Sequence, residues 1–137
     1  MLHDDRLKYY MAIQHTEHGR SYPFLNCWGL ICEFYKRELN IALDLYTDYD
    51  PNTMTKGYDK AKSEFNLVSS PEFGDIVAFV TSAGACYHVG VMLDSNRFLH
   101  SQRGRGSQIT PLSMTAGHIL FYRHKGLNNE SRDLQQT

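Results

Sequence analysis

The chain lacks any apolar run long enough to span a bilayer, and its first residues show no secretory-leader pattern of basic charge followed by an apolar stretch. These absences point to a protein made in a reducing cytoplasm, by a cell or by a virus within it, that works without a membrane. Cysteine is sparse: Cys27, Cys32 and Cys86 are odd in number and have no scaffold-like spacing, which argues against a disulfide framework. Charge of either sign is not in excess. A formal net charge of −1 provides no field that would steer the chain to nucleic acid or to an anionic surface. The short basic run Arg103-Gly104-Arg105 reads as a solvated loop. No internal repeat or low-complexity tract is visible, and tryptophan is nearly absent, the aromatic content coming from Tyr and Phe.

With 137 residues the chain suits one domain with a single core, assigned to residues 1–126, followed by a polar, disordered tail over 127–137. Seven histidines invite a metal reading, but only His15 and His18, with Glu17 between them, approach ligand spacing. No second pair and no Cys-x-x-Cys complete a zinc set, so neither metal nor organic cofactor is expected.

Helix formers with Leu7, Tyr10 and Met11 predict a first helix over Asp4 to His18, closed by Gly19 as a left-handed C-cap. A loop from Arg20 to Leu25 leads to a second helix from Cys27 to about Asn40, with Leu30, Ile31, Phe34 and Leu39 on its core face. Ile41 to Thr55 reads as an irregular polar excursion, and Tyr58 to Phe65 as a short helix. After Pro71 the period becomes alternating. Asp75 to Val80 is a buried central strand, Tyr87 to Leu93 a strand with Val89, Val91 and Leu93 on one face, and Arg97 to His100 a third. Further strands are expected around Gln108-Ile109 and over His118 to Tyr122. Helices first and an antiparallel sheet second make an α+β domain.

Cys27 carries the chemistry in this reading. Asn26 is a good N-cap, so the thiol sits on the first turn of a helix, where the macrodipole favours thiolate. Cys32 reads as a small core residue. Cys86 lies close to His88 but has no helix N-terminus to activate it. A nucleophilic cysteine needs a base, and the base needs an orienting partner. His88 lies on the face opposite Val89 and Val91, next to Gly90, whose missing side chain would let a helix approach. His100 can join His88 only if the connecting loop has the right length. A two-residue turn at Ser95-Asn96 puts His100 on the wrong face, whereas a three-residue loop, Asp94 to Asn96, pairs Gly90 with His100 and makes the imidazoles diagonal neighbours. The longer loop, or an equivalent bulge, is therefore predicted. His3, His15, His18, His118 and His124 are read as structural.

The ordered segments Cys27-Trp28-Gly29-Leu30, Gly74-Asp75-Ile76-Val77, His88-Val89-Gly90-Val91 and Phe98-Leu99-His100 resemble the NlpC-type cell-wall cysteine peptidases, over about residues 5 to 125. The resemblance implies a papain-like domain with Cys27 as nucleophile, His88 as general base and His100 as orienting residue. Gly19-Arg20-Ser21-Tyr22 is similar to the family's Gly-x-x-Tyr segment, which implies Tyr22 as a hydroxyl donor to substrate or oxyanion. It also implies a peptidoglycan stem peptide as substrate, cut between D-glutamate and a diamino acid. Asn26 stands where many members have aspartate, and Ser101 where a small apolar residue is common. The run from Cys27 through Ile41, with Phe121-Tyr122-Arg123-His124, is similar to members from tailed bacteriophages. That implies a place at the virion tail tip, among other tail hub and tip proteins, where wall cleavage would aid genome entry. Two other readings stay open: a structural tail component that keeps the fold with little or no wall-cleaving activity, and a related amidase or acyltransferase acting on another amide.

Overall fold

The computed structural model describes residues 2–44 and 61–127. Helix α1 (Asp4–Met11) starts with two acidic residues that complement its dipole and buries Tyr10. It stops seven residues short of the expected end. Ile13 turns inward and the chain goes extended, because the backbone there has better partners than a helix offers. Gln14 N–H donates to the Pro23 carbonyl at 2.7 Å, its own carbonyl accepts Leu25 N–H at 3.1 Å, and Ser107 N–H reaches the Ile13 carbonyl at 3.1 Å. Gly19 caps no helix. A Cβ at Gly19 would lie 2.3 Å from the Phe24 carbonyl oxygen, so the residue permits a close backbone crossing.

The expected loop contains a minimal antiparallel ladder, β1 (Arg20–Ser21) with β2 (Phe24–Leu25), around a cis Tyr22-Pro23 bond. Helix α2 (Cys27–Phe34) begins where Asn26 predicts, with the Asn26 Oδ1 accepting Gly29 N–H at 2.8 Å. It continues as a wider π-turn over Tyr35–Leu39 and ends at Asn40, whose φ of 56° is a left-handed conformation asparagine tolerates. Leu30, Ile31, Phe34 and Leu39 are all buried. The part of the predicted polar excursion beyond Asp44, and the first residues of the predicted helix at Tyr58, lie outside the described residues. What is described of that helix is a 3₁₀ turn, Lys62–Glu64, followed by strand β3 (Phe65–Val68).

The remaining strands are β4 (Ile76–Val80), β5 (Cys86–Met92), β6 (Arg97–Gln102), β7 (Gly106–Pro111) and β8 (His118–His124). They form a six-stranded antiparallel sheet in the order β3-β8-β4-β5-β6-β7. β4 is buried throughout, as a strand flanked on both sides should be. One sheet face, with Ile76, Ala78, Val91, Leu99 and Tyr122, packs on Leu30, Ile31 and Phe34 of α2. The other gathers Val77, Phe79, Met92 and Phe98. The domain is thus α+β, with the helices on one side of the sheet. Asp75, fully buried at the start of β4, is held by Arg123 through Nε at 3.1 Å and Nη2 at 2.9 Å, a two-pronged pairing that compensates burial of its charge. Leu127, expected in the tail, is buried in the core; residues 128–137 lie outside the described residues.

Candidate active site

The site forms where the sheet opens. β5 and β6 pair through Val91 opposite Leu99 and Met92 opposite Phe98, and Leu93 N–H donates to the Arg97 carbonyl. The connection is therefore the three-residue loop Asp94 to Asn96. The Asp94 Oδ1 closes it by accepting both Asn96 N–H and Arg97 N–H at 2.8 Å. The register matches the one that places both imidazoles on one face. His88 Nε2 lies 2.6 Å from His100 Nδ1, with Phe79 packed on His88 and Phe98 on His100.

Gly90 contributes in a different way from the one its sequence context suggests. The space beside it is taken by β6 rather than by a helix: a Cβ would meet the Phe98 ring at 2.7 Å, the Leu99 carbonyl at 3.1 Å and His100 Cβ at 3.3 Å. The glycine lets β5 and β6 close tightly enough for the imidazoles to touch.

The N-terminus of α2 packs against these same strands. Ser101 on β6 donates its hydroxyl to the Leu25 carbonyl at 2.8 Å, and the Val89 amide is directed at the Cys27 sulfur together with those of Cys27 and Trp28. Cys27 is thereby held against the β5 residue that follows His88. Among the described residues no hydrogen bond joins the Cys27 sulfur to His88. With His88 Nε2 engaged by His100, its Nδ1 is the nitrogen left to act as a base.

Electrostatics here are set by burial. The Cys27 thiol is pushed up to about 11 by desolvation, which outweighs the three amides pulling the other way. The amides act in the direction that the helix N-terminus predicts, so the expected thiolate is opposed by depth alone. Burial, then the charge of His15, pushes His88 down to about 4. Burial, then His88, pushes His100 down to about 3. At neutral pH the resting site holds a thiol and two neutral imidazoles.

Thr110 on β7 is a site neighbour that sequence reasoning missed. Its Oγ1 lies 2.9 Å from His100 Nε2. β6 pairs with β7 with His100 opposite Gln108 and Phe98 opposite Thr110, so extending the alternation across one more turn would have found it. Tyr22, implied by the sequence resemblance as a hydroxyl donor, is engaged with α1: its hydroxyl donates to the Tyr9 carbonyl at 2.8 Å and its ring stacks on Tyr9 at 4.0 Å. Cys32 is buried, with its sulfur toward the Asp44 carbonyl, and Cys86 points to the His88 carbonyl at 3.5 Å. Among the described residues no group of three His, Cys, Asp or Glu side chains could hold a metal ion.

A sequence model of the NlpC/P60 family matches residues 14–124, a span that contains every residue of this site. The fold resembles the NlpC/p60 domain of peptidoglycan hydrolase SagA, with a TM-score of 0.59 at 16% identity, over 85% of this chain and 92% of that one. It also resembles NlpC1 of Trichomonas vaginalis, with a TM-score of 0.64 at 17% identity, over 88% of this chain and 41% of that one. A relative in sequence is the tail tip assembly protein K of Escherichia phage N15, 30% identical over 95 residues and 63% of this chain. The chain spans 38% of the length of that protein.

Proposed function

The chain belongs to the NlpC/P60 family, and from that premise we propose that it is a cysteine peptidase that hydrolyses an amide bond in peptidoglycan stem peptides. One observation carries the reading. Cys27, on the first turn of a capped helix, is held beside a strand whose neighbouring residue, His88, shares a 2.6 Å hydrogen bond with His100.

Substrate binding begins with a neutral pair. As the Cys27 sulfur attacks the amide carbonyl, its proton passes to His88 Nδ1, so general-base catalysis replaces a preformed thiolate. The resulting oxyanion lies at the helix start, where the Cys27 backbone N–H can donate to it. His88 then gives the proton to the leaving amine, and the thioester is hydrolysed by a water that His88 activates in turn. His100 keeps the His88 ring oriented through Nε2. The scissile bond implied by the sequence resemblance is that between D-glutamate and a diamino acid.

The likeness to the tail tip assembly protein of phage N15 supports a place of action: we propose that this domain works at a bacteriophage tail tip, in contact with other tail proteins, where opening the wall would aid genome entry. A second reading, a tail component that keeps the fold but cuts little or no wall, is favoured by that same relative's name and by the deep burial of the thiol. Digestion of peptidoglycan from several bacteria by the protein and its Cys27→Ala variant, with mass spectrometry of released fragments, separates the two. Fragments made only by the unmutated protein support the peptidase and identify its bond. No fragments from either favour the structural component.

A further inference from the structure

We propose that Thr110 is a positioning residue that supports the direction of the His88–His100 hydrogen bond in which His88 Nδ1 is a base. The inference rests on the peptidase reading for its consequence, though not for its geometry. Three groups lie in a row: His88 Nε2 is 2.6 Å from His100 Nδ1, and His100 Nε2 is 2.9 Å from Thr110 Oγ1. A neutral imidazole has one N–H and one lone pair, so the row has two polarities.

In the first, His100 Nε2–H donates to Thr110 Oγ1, His100 Nδ1 accepts from His88 Nε2–H, and the His88 Nδ1 lone pair is bare. In the second, the Thr110 hydroxyl donates to His100 Nε2, every bond reverses, and His88 Nδ1 carries a proton. Only the first polarity can accept the Cys27 proton. The Thr110 hydroxyl can serve either polarity, but only the first leaves a buried N–H beyond His100, where an orphaned donor is costlier than a bare lone pair, and Thr110 Oγ1 supplies the acceptor that this N–H needs. His100 is 3% exposed, so solvent cannot readily supply that partner. When His88 takes the proton, both its nitrogens become donors. His100 Nδ1 is then already an acceptor, and no further proton has to move.

The test uses the full chain labelled with ¹⁵N-histidine, and Thr110→Val and Thr110→Ser variants. Long-range ¹H–¹⁵N spectra report which ring nitrogen of each histidine is protonated. The unmutated protein is expected to show His100 and His88 both as Nε2–H tautomers at neutral pH, and Thr110→Ser to keep them. Thr110→Val should show a mixture or reversal, with kcat on peptidoglycan lowered about tenfold at nearly unchanged KM. Thr110→Ser should restore kcat to within about twofold. His100 as an Nδ1–H tautomer in the unmutated protein overturns the proposal. So does a Thr110→Val protein that keeps both tautomers. The tautomer spectra need no substrate, so a protein that cuts no peptidoglycan undermines the peptidase reading while leaving this proposal to be decided by the spectra.

Discussion

Acid should destabilise this fold through its two paired imidazoles, and the size of the effect can be worked from the site. His88 and His100 are held at about 4 and about 3, against 6.5 for the unfolded side chain. Below 6.5 the unfolded chain binds protons that the folded chain refuses, so their contribution is fully present above 6.5 and is lost as pH falls through the window down to those folded values. One pKa unit is about 1.4 kcal/mol, so at about pH 5 each imidazole removes about 2 kcal/mol, a large part of a small domain's stability. The perturbation is His100→Asn, which deletes one of the two groups. Urea unfolding at about pH 8, 6.5 and 5, followed by circular dichroism, gives the free energies. The unmutated protein should lose about 2 kcal/mol more between about pH 8 and pH 5 than His100→Asn does. His88, His15 and His124 are shifted the same way and titrate in both proteins, so the difference isolates His100. Parallel curves for the two proteins would refute the claim that His100 is held neutral by burial.

Three further outcomes follow from the same geometry. Alkylation of Cys27 by iodoacetamide, read by peptide mass mapping, should keep rising with pH toward the thiol's value of about 11; a plateau reached below neutral pH would show a preformed thiolate. Gly90→Ala must push Phe98 or His100 aside and should cost about 1–3 kcal/mol in urea unfolding while lowering activity. Arg123→Met removes the guanidinium that faces the buried Asp75 carboxylate and should lower stability by about 3–5 kcal/mol at neutral pH, with partial recovery when Asp75→Asn is added.

Signals that act within a few residues were legible. Asn26 announces the start of α2 because an N-cap is a local device, and the Asp94–Asn96 loop follows from requiring two histidines to share a face. Devices that depend on distant backbone were not. α1 is short because Gln14 finds partners at Pro23 and Leu25, and Ile13 one at Ser107; no propensity within Asp4–His18 reports that. β3 is missing from the sequence reading, in which a helix ends at Phe65, because its pairing, Phe65 opposite His124 through Val68 opposite Phe121, is made with the last strand of the domain. Thr110 sits one strand beyond the pair it supports. The acidity of Cys27 divides the same way: the helix amides that lower it are visible in the sequence, whereas the desolvation that overrides them arises only when β5 and β6 close over it.

The chemistry itself is tested most directly by trapping the acyl-enzyme. The protein is mixed with a purified stem peptide, quenched in acid within the first turnovers, and its intact mass and peptide map are recorded. A transient mass increase equal to the acyl half of the peptide, mapped to Cys27 and absent in Cys27→Ala, is the predicted result. Cleavage products that appear with no adduct, or an adduct on Cys32 or Cys86, would contradict Cys27 as the nucleophile.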